Sequence, residues 1–139
     1  MSPASEPEGE PALAVVCGVV WRGDRFLGAC RPPGRMHAGR WEFPGGKVEA
    51  GETPAQALIR ELEEELSLRV RRPLFWRRVR HAYPELTVEL HFFHVTDFDG
   101  DPVPNDGQGL RWLKPDEALD LPFLEPDRPL LEELRAPPL

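Results

Sequence analysis

Gly46-Lys47-Val48-Glu49-Ala50-Gly51-Glu52-Thr53-Pro54-Ala55-Gln56-Ala57-Leu58-Ile59-Arg60-Glu61-Leu62-Glu63-Glu64-Glu65-Leu66-Ser67-Leu68 carries a helix and a concentration of charge together. Thr53 is suited to cap a helix, with Pro54 at its first position and Gln56 placed to close a capping box, which predicts a helix running to about Ser67. Leu58, Leu62 and Leu66 recur every fourth residue and form an apolar stripe for the core. At about 100° per residue, Glu61, Glu64 and Glu65 share a different face, from which Glu63 points away. Three carboxylates at that spacing repel one another and raise each other's pKa values. A divalent cation with a preference for hard oxygen ligands relieves the repulsion. A bare glutamate run reads first as a solvated acidic face, and the flanking residues overturn that reading.

Those residues are Gly46, then Glu52 after an interval of five, then Arg60-Glu61 after an interval of seven, followed by Leu62, Glu64-Glu65 and Leu66. The stretch resembles the Nudix box. The resemblance implies a catalytic set of Glu52, Arg60, Glu61, Glu64 and Glu65, within which Glu61, Glu64 and Glu65 bind magnesium, with manganese as a substitute. It further implies that the Gly46 carbonyl adds a ligand and that Glu52 braces Arg60. Glu64 or Glu65 is the implied base, with Glu52 assisting from behind. One position departs from the box: Ser67 stands where glycine is usual, at a helix exit that favours a left-handed backbone.

Upstream, Arg40-Trp41-Glu42-Phe43-Pro44-Gly45-Gly46-Lys47 is similar to the MutT-like branch, whose members hydrolyse nucleoside triphosphates to monophosphate and pyrophosphate. Within that resemblance Arg31 occupies a position that contacts substrate phosphate, and a guanidinium suits a bidentate phosphate contact. Asp127, in Glu125-Pro126-Asp127-Arg128-Pro129-Leu130-Leu131-Glu132, falls where the base is read. The pattern specific for 8-oxoguanine has asparagine there, and this segment is closer to the branch acting on cytidine and modified pyrimidine triphosphates. As a plain structural residue, Asp127 is instead an acid at a helix N-terminus.

Around this centre the chain reads as one mixed α and β domain. Leu13 to Trp21 and Arg25 to Ala29 form a hairpin about Gly23-Asp24. Arg31 to Arg40 is a loop rich in Pro, Gly and Arg. Strands follow near Pro73 to Arg80 and Leu86 to Val95, where Thr87 to Phe92 alternates as a half-buried strand does. A short strand at Leu110 to Leu113 and a turn at Lys114 to Glu117 lead to a final helix from Pro126 to Leu134. The resemblance turns these elements into the Nudix fold, an α/β/α sandwich around a mixed β-sheet. It fills residues 13–134, between a disordered tail over 1–12 and a short tail over 135–139. Phe92 and Phe93 must face opposite sides of their strand.

Composition sets limits. The 139 residues suffice for one core. A net charge of −7 argues against a binder of long nucleic acid and leaves a small nucleotide, neutralised by metal, as the partner. Cys17 and Cys30 make no CxxC pair, no stretch resembles a signal peptide or membrane span, and a cytoplasmic location is expected. Asp97, Asp99 and Asp101 imitate a calcium loop, but Pro102 takes the place of its required glycine. The sequence leaves the oligomeric state open. The expected activity is magnesium-dependent clearance of modified or oxidised nucleoside triphosphates, the nucleotide-pool side of DNA repair. Its rivals are hydrolysis of a nucleotide sugar or dinucleoside polyphosphate, and a non-catalytic nucleotide sensor.

Overall fold

The computed structural model describes residues 12–135, so the expected tails lie outside the described residues except for Ala12 and Arg135. Strands β1 (Leu13–Arg22) and β2 (Arg25–Cys30) form the expected hairpin. β3 (Trp41–Glu42), β4 (Gly45–Lys47), helix α1 (Pro54–Leu66) and β5 (Arg69–Val70) come next. They are followed by β6 (Leu74–Tyr83), β7 (Leu86–Val95), β8 (Phe98–Asp99) and β9 (Gly109–Leu113). The lysine-proline segment expected to turn is a one-turn helix, α2 (Pro115–Ala118), and α3 (Arg128–Leu134) follows a 3-10 turn over Glu125–Asp127.

β1 runs parallel to β7, in register from Leu13 against Val88 to Val20 against Val95, whereas β2, β4 and β6 join antiparallel, so the sheet is mixed. α1 covers one face, with Leu58, Leu62 and Leu66 packed on Val16, Val20, Leu27 and Phe93. α3 covers the other, with Leu130, Leu131 and Leu134 on Val19, Phe26, Phe92 and Phe123. Phe92 and Phe93 therefore serve separate cores, as the period-two alternation of a strand requires. Full burial of each such side chain contributes about 1.5–3 kcal/mol. Gly18 lets α1 come close: a Cβ there would sit 3.3 Å from both Leu58 and Leu62.

β7 keeps the expected half-buried alternation from Thr87 to Phe92 and loses it only beyond. Phe92, Phe93, His94 and Val95 are all buried, because α1 closes one face while Trp21, Trp76 and the α3 core close the other. Alternation runs from Leu86 to Phe92, and the unbroken burial begins after it.

The α1 start is built as the residues dictate. The Gln56 amide donates to Thr53 Oγ1 (3.1 Å) and the Thr53 amide to Gln56 Oε1 (2.9 Å), with Pro54 at the first position. At the other end Ser67 takes the left-handed conformation (φ 59°, ψ 31°) that glycine would adopt without strain. The Asp97 and Asp99 carboxylates pair with Arg71 and Arg72.

Candidate active site

Arg60 is the hub of the carboxylate cluster. Its Nε and Nη2 donate to the two oxygens of Glu52 (2.6 and 2.9 Å), its Nη1 to Glu61 (3.1 Å) and Glu64 (3.3 Å), and its Nη2 also to the Lys47 carbonyl (3.0 Å). One guanidinium thereby ties α1 to the strand that precedes it, a geometry the planar fork supports and a lysine cannot match. The hydrogen bond from Arg60, with a second from the Glu49 amide, lowers the Glu52 pKa to about 2. A carboxylate so firmly ionised and doubly engaged is a brace and a poor base.

Glu65 behaves in the opposite way. Burial, then its hydrogen bond and charge repulsion with Glu61, then Asp106 and Glu42, push its pKa up to about 9. Glu61 and Glu65 are thus brought into contact, and burial together with that contact holds the Glu65 carboxyl above the ordinary carboxylate range. Glu64 shares the face but remains largely exposed, at 61% of its side-chain surface. Among the described residues no three Asp, Glu, His or Cys side chains are gathered closely enough to enclose an ion. Gly46 lies against this pair: a Cβ on it would sit 2.3–2.5 Å from the Glu61 carboxyl atoms. Gly45 is required for another reason, since its Cβ would fall 1.8 Å from the Val16 carbonyl oxygen across the β1–β4 pairing.

A cleft of about 720 Å³ opens beside the pair, with Gly46, Glu65 and Asp106 on its wall and Arg31, Tyr83 and Asp127 also lining it. Asp127 is buried at 4% exposure. It stands at the N-cap position of α3, as the helix-acid reading expects, but its carboxylate makes no cap hydrogen bond and instead accepts a 3.4 Å hydrogen bond from the Phe43 amide. Burial and then the Glu42 charge raise its pKa to about 8, against the opposing pull of the Phe43 amide and Arg31. Arg31 reaches the cleft with its fork already occupied: Nε and Nη2 each lie 2.9 Å from Glu42, and Nη1 donates to the Met36 carbonyl (3.2 Å).

Three cleft residues went unassigned in the sequence. Glu42 was visible in Trp41-Glu42-Phe43 but gave no sign of pairing across the loop with Arg31. Asp106 lay in the acidic segment that resembled a failed calcium loop. Tyr83, beyond the expected end of its strand, packs against His37 and His81 (centroids 5.8 and 4.5 Å).

The NUDIX domain profile matches residues 15–133. The CTP pyrophosphohydrolase of Escherichia coli is 39% identical over 124 residues, covering 89% of this chain and 92% of that protein. The 8-oxo-dGTP diphosphatase of Haemophilus influenzae is 41% identical over 90 residues, 65% of each chain. Among solved structures, the E. coli ORF135 protein superposes with a TM-score of 0.82 at 37% identity, covering 93% of this chain and 92% of that one.

Proposed function

The chain belongs to the NUDIX domain family and is a hydrolase, and from that premise we propose that it cleaves a modified or oxidised nucleoside triphosphate into the monophosphate and pyrophosphate. The observation that carries this reading is the contacting Glu61–Glu65 pair at the wall of a cleft that also holds the buried, raised-pKa Asp127. One region calls for positive charge and another offers a hydrogen-bonding carboxyl group to a base.

Enzymes of this family use divalent cations, and the residues here suit magnesium. Hard oxygen donors from Glu61, Glu64 and Glu65, joined by the carbonyl of Gly46, a residue that packs against the Glu61 carboxyl group, would hold it. Magnesium, when bound, neutralises polyphosphate charge and acidifies a coordinated water. The protein's own part is positioning, which phosphoryl chemistry requires above covalent participation. Arg60 fixes Glu52, Glu61 and Glu64 in mutual register, while Gly46 leaves room for Glu61. Of the two implied bases, Glu65 is buried against Glu61 with a raised pKa, and a bound cation would favour its ionised form, whereas Glu64 is the exposed one.

At the other end, Asp127 retains a proton near neutrality and so can donate to a ring nitrogen or carbonyl as well as accept. Arg31 reaches a phosphate only by releasing an edge of its fork from Glu42. No helix among the described residues is long and apolar enough to cross a membrane. We place the enzyme in the cytoplasm, where free nucleotides occur.

Pyrophosphate release from a panel of normal and oxidised purine and pyrimidine triphosphates, with Mg²⁺ and with chelator, tests the proposal. Mg²⁺-dependent release selective for one nucleotide supports it. Silence across the panel refutes it and turns attention to nucleotide sugars, dinucleoside polyphosphates or a sensor. Glu64→Gln with retained nucleotide affinity and no turnover separates enzyme from sensor.

A further inference from the structure

The last carbonyls of an α-helix have no partner inside it. At the end of α1 the Ser67 and Leu68 amides turn back to Glu63 (3.0 Å) and Leu62 (3.2 Å), which leaves the carbonyls of Glu64, Glu65 and Leu66. A single short segment of the loop after β8 takes all three. The Asn105 side-chain amide donates to the Glu64 carbonyl (2.9 Å), the Asn105 backbone amide to the Glu65 carbonyl (3.1 Å), and the Val103 amide to the Leu66 carbonyl (2.9 Å). The second side-chain hydrogen of Asn105 goes to Ser67 Oγ (3.1 Å).

Ser67 is therefore more than a tolerated departure from glycine. Its left-handed backbone costs strain, but its hydroxyl supplies an acceptor that glycine lacks. The next loop residue, Asp106, lines the cleft together with Glu65, and its amide donates to the Gln108 side chain (3.0 Å), also on the cleft wall.

We propose that Asn105 is a positioning residue for the hydrolysis: an external cap, latched by Ser67, that holds the α1 end carrying Glu64 and Glu65 in register with the loop carrying Asp106 and Gln108. The inference rests on the reading of Glu61, Glu64 and Glu65 as the cation-binding set. Asn105 touches neither substrate nor cation; it acts through the backbone of two residues that do.

The test compares wild type, Asn105→Ala, Ser67→Gly and the double variant. Each is titrated with Mn²⁺ in the absence of nucleotide, assayed for kcat and KM, and melted. Asn105→Ala should weaken Mn²⁺ binding and lower kcat about tenfold each, equivalent to about 1.4 kcal/mol, with KM nearly unchanged. Its melting temperature should barely move, because the lost bonds are exposed ones. Ser67→Gly relieves the backbone and should melt no lower than wild type, yet bind Mn²⁺ more weakly. The double variant should match Asn105→Ala, since Ser67 Oγ has no other hydrogen-bond partner among the described residues. Mn²⁺ affinity and kcat within about twofold of wild type in Asn105→Ala would overturn the proposal, as would a loss confined to KM or one matched by a global fall in stability. Wild-type protein that binds no Mn²⁺ would remove the cation-site reading, and this inference with it.

Discussion

Replacing Asp127 by asparagine should make the protein more stable as the pH rises, by an amount the structure specifies. The carboxyl group is buried, beside the Glu42 charge, with a pKa of about 8 against an ordinary 3.8. Between those values the folded chain keeps a proton that the unfolded chain has released. The stability owed to that proton is complete below about pH 4 and drains away as the pH climbs through 8. The slope is about 1.4 kcal/mol per pH unit, so roughly 3 kcal/mol is lost between pH 5 and pH 7. The amide in Asp127→Asn has nothing to titrate and can still accept from the Phe43 backbone, so the variant escapes this loss. Other titrating groups, Glu65 among them, act in both proteins and cancel in the difference. Urea unfolding followed by tryptophan fluorescence at pH 5, 6 and 7 reads that difference directly. The advantage of the variant should widen by about 1.4 kcal/mol at each step, or roughly 10 °C in Tm across the range. A difference that stays flat from pH 5 to pH 7 would refute the buried, protonated Asp127.

Gly46→Ala should fold, because the group its Cβ meets is the end of a side chain, yet the displaced Glu61 should cost about a hundredfold in kcat or more, checked by pyrophosphate release alongside a thermal melt. Gly45→Ala meets the Val16 backbone instead and should lower yield and Tm before any activity is measured. Arg60→Lys keeps the charge but loses the fork on Glu52 and the Lys47 carbonyl tie, so kcat should fall about tenfold with KM little changed, measured by steady-state kinetics. Leu62→Ala empties a fully buried site between α1 and the sheet and should cost about 2–5 kcal/mol in denaturant unfolding.

The features most legible in the sequence were local ones. The α1 cap and its leucine stripe lie within one helix and the turn before it, where spacing determines geometry, while the Glu52–Arg60 brace beside them was implied by the resemblance to the Nudix box. The parallel pairing of β1 with β7 was not legible, because the partners are separated by most of the chain and hydrophobic pattern alone does not name a neighbour. β3, β4, β5 and β8, each two or three residues long, are too short to establish a period. The exit of α1 was half legible: Ser67 signalled an unusual end, but the Asn105 that completes it lies 38 residues away. The same distance effect hid the Arg31–Glu42 fork and made Asp127 ambiguous between helix acid and cleft carboxyl, since only burial distinguishes them.

The sheet that separates Phe92 from Phe93 also divides what mutation can reach. Asp127 descends from the α3 side and the glutamates from the α1 side, and the two meet only at the cleft. Drift among the residues beneath α3 can therefore reshape the end of the cleft that faces a base while the helix of glutamates inherits its surroundings unaltered. A lineage built on this plan can change which nucleotide it clears without renegotiating how the phosphate bond is broken.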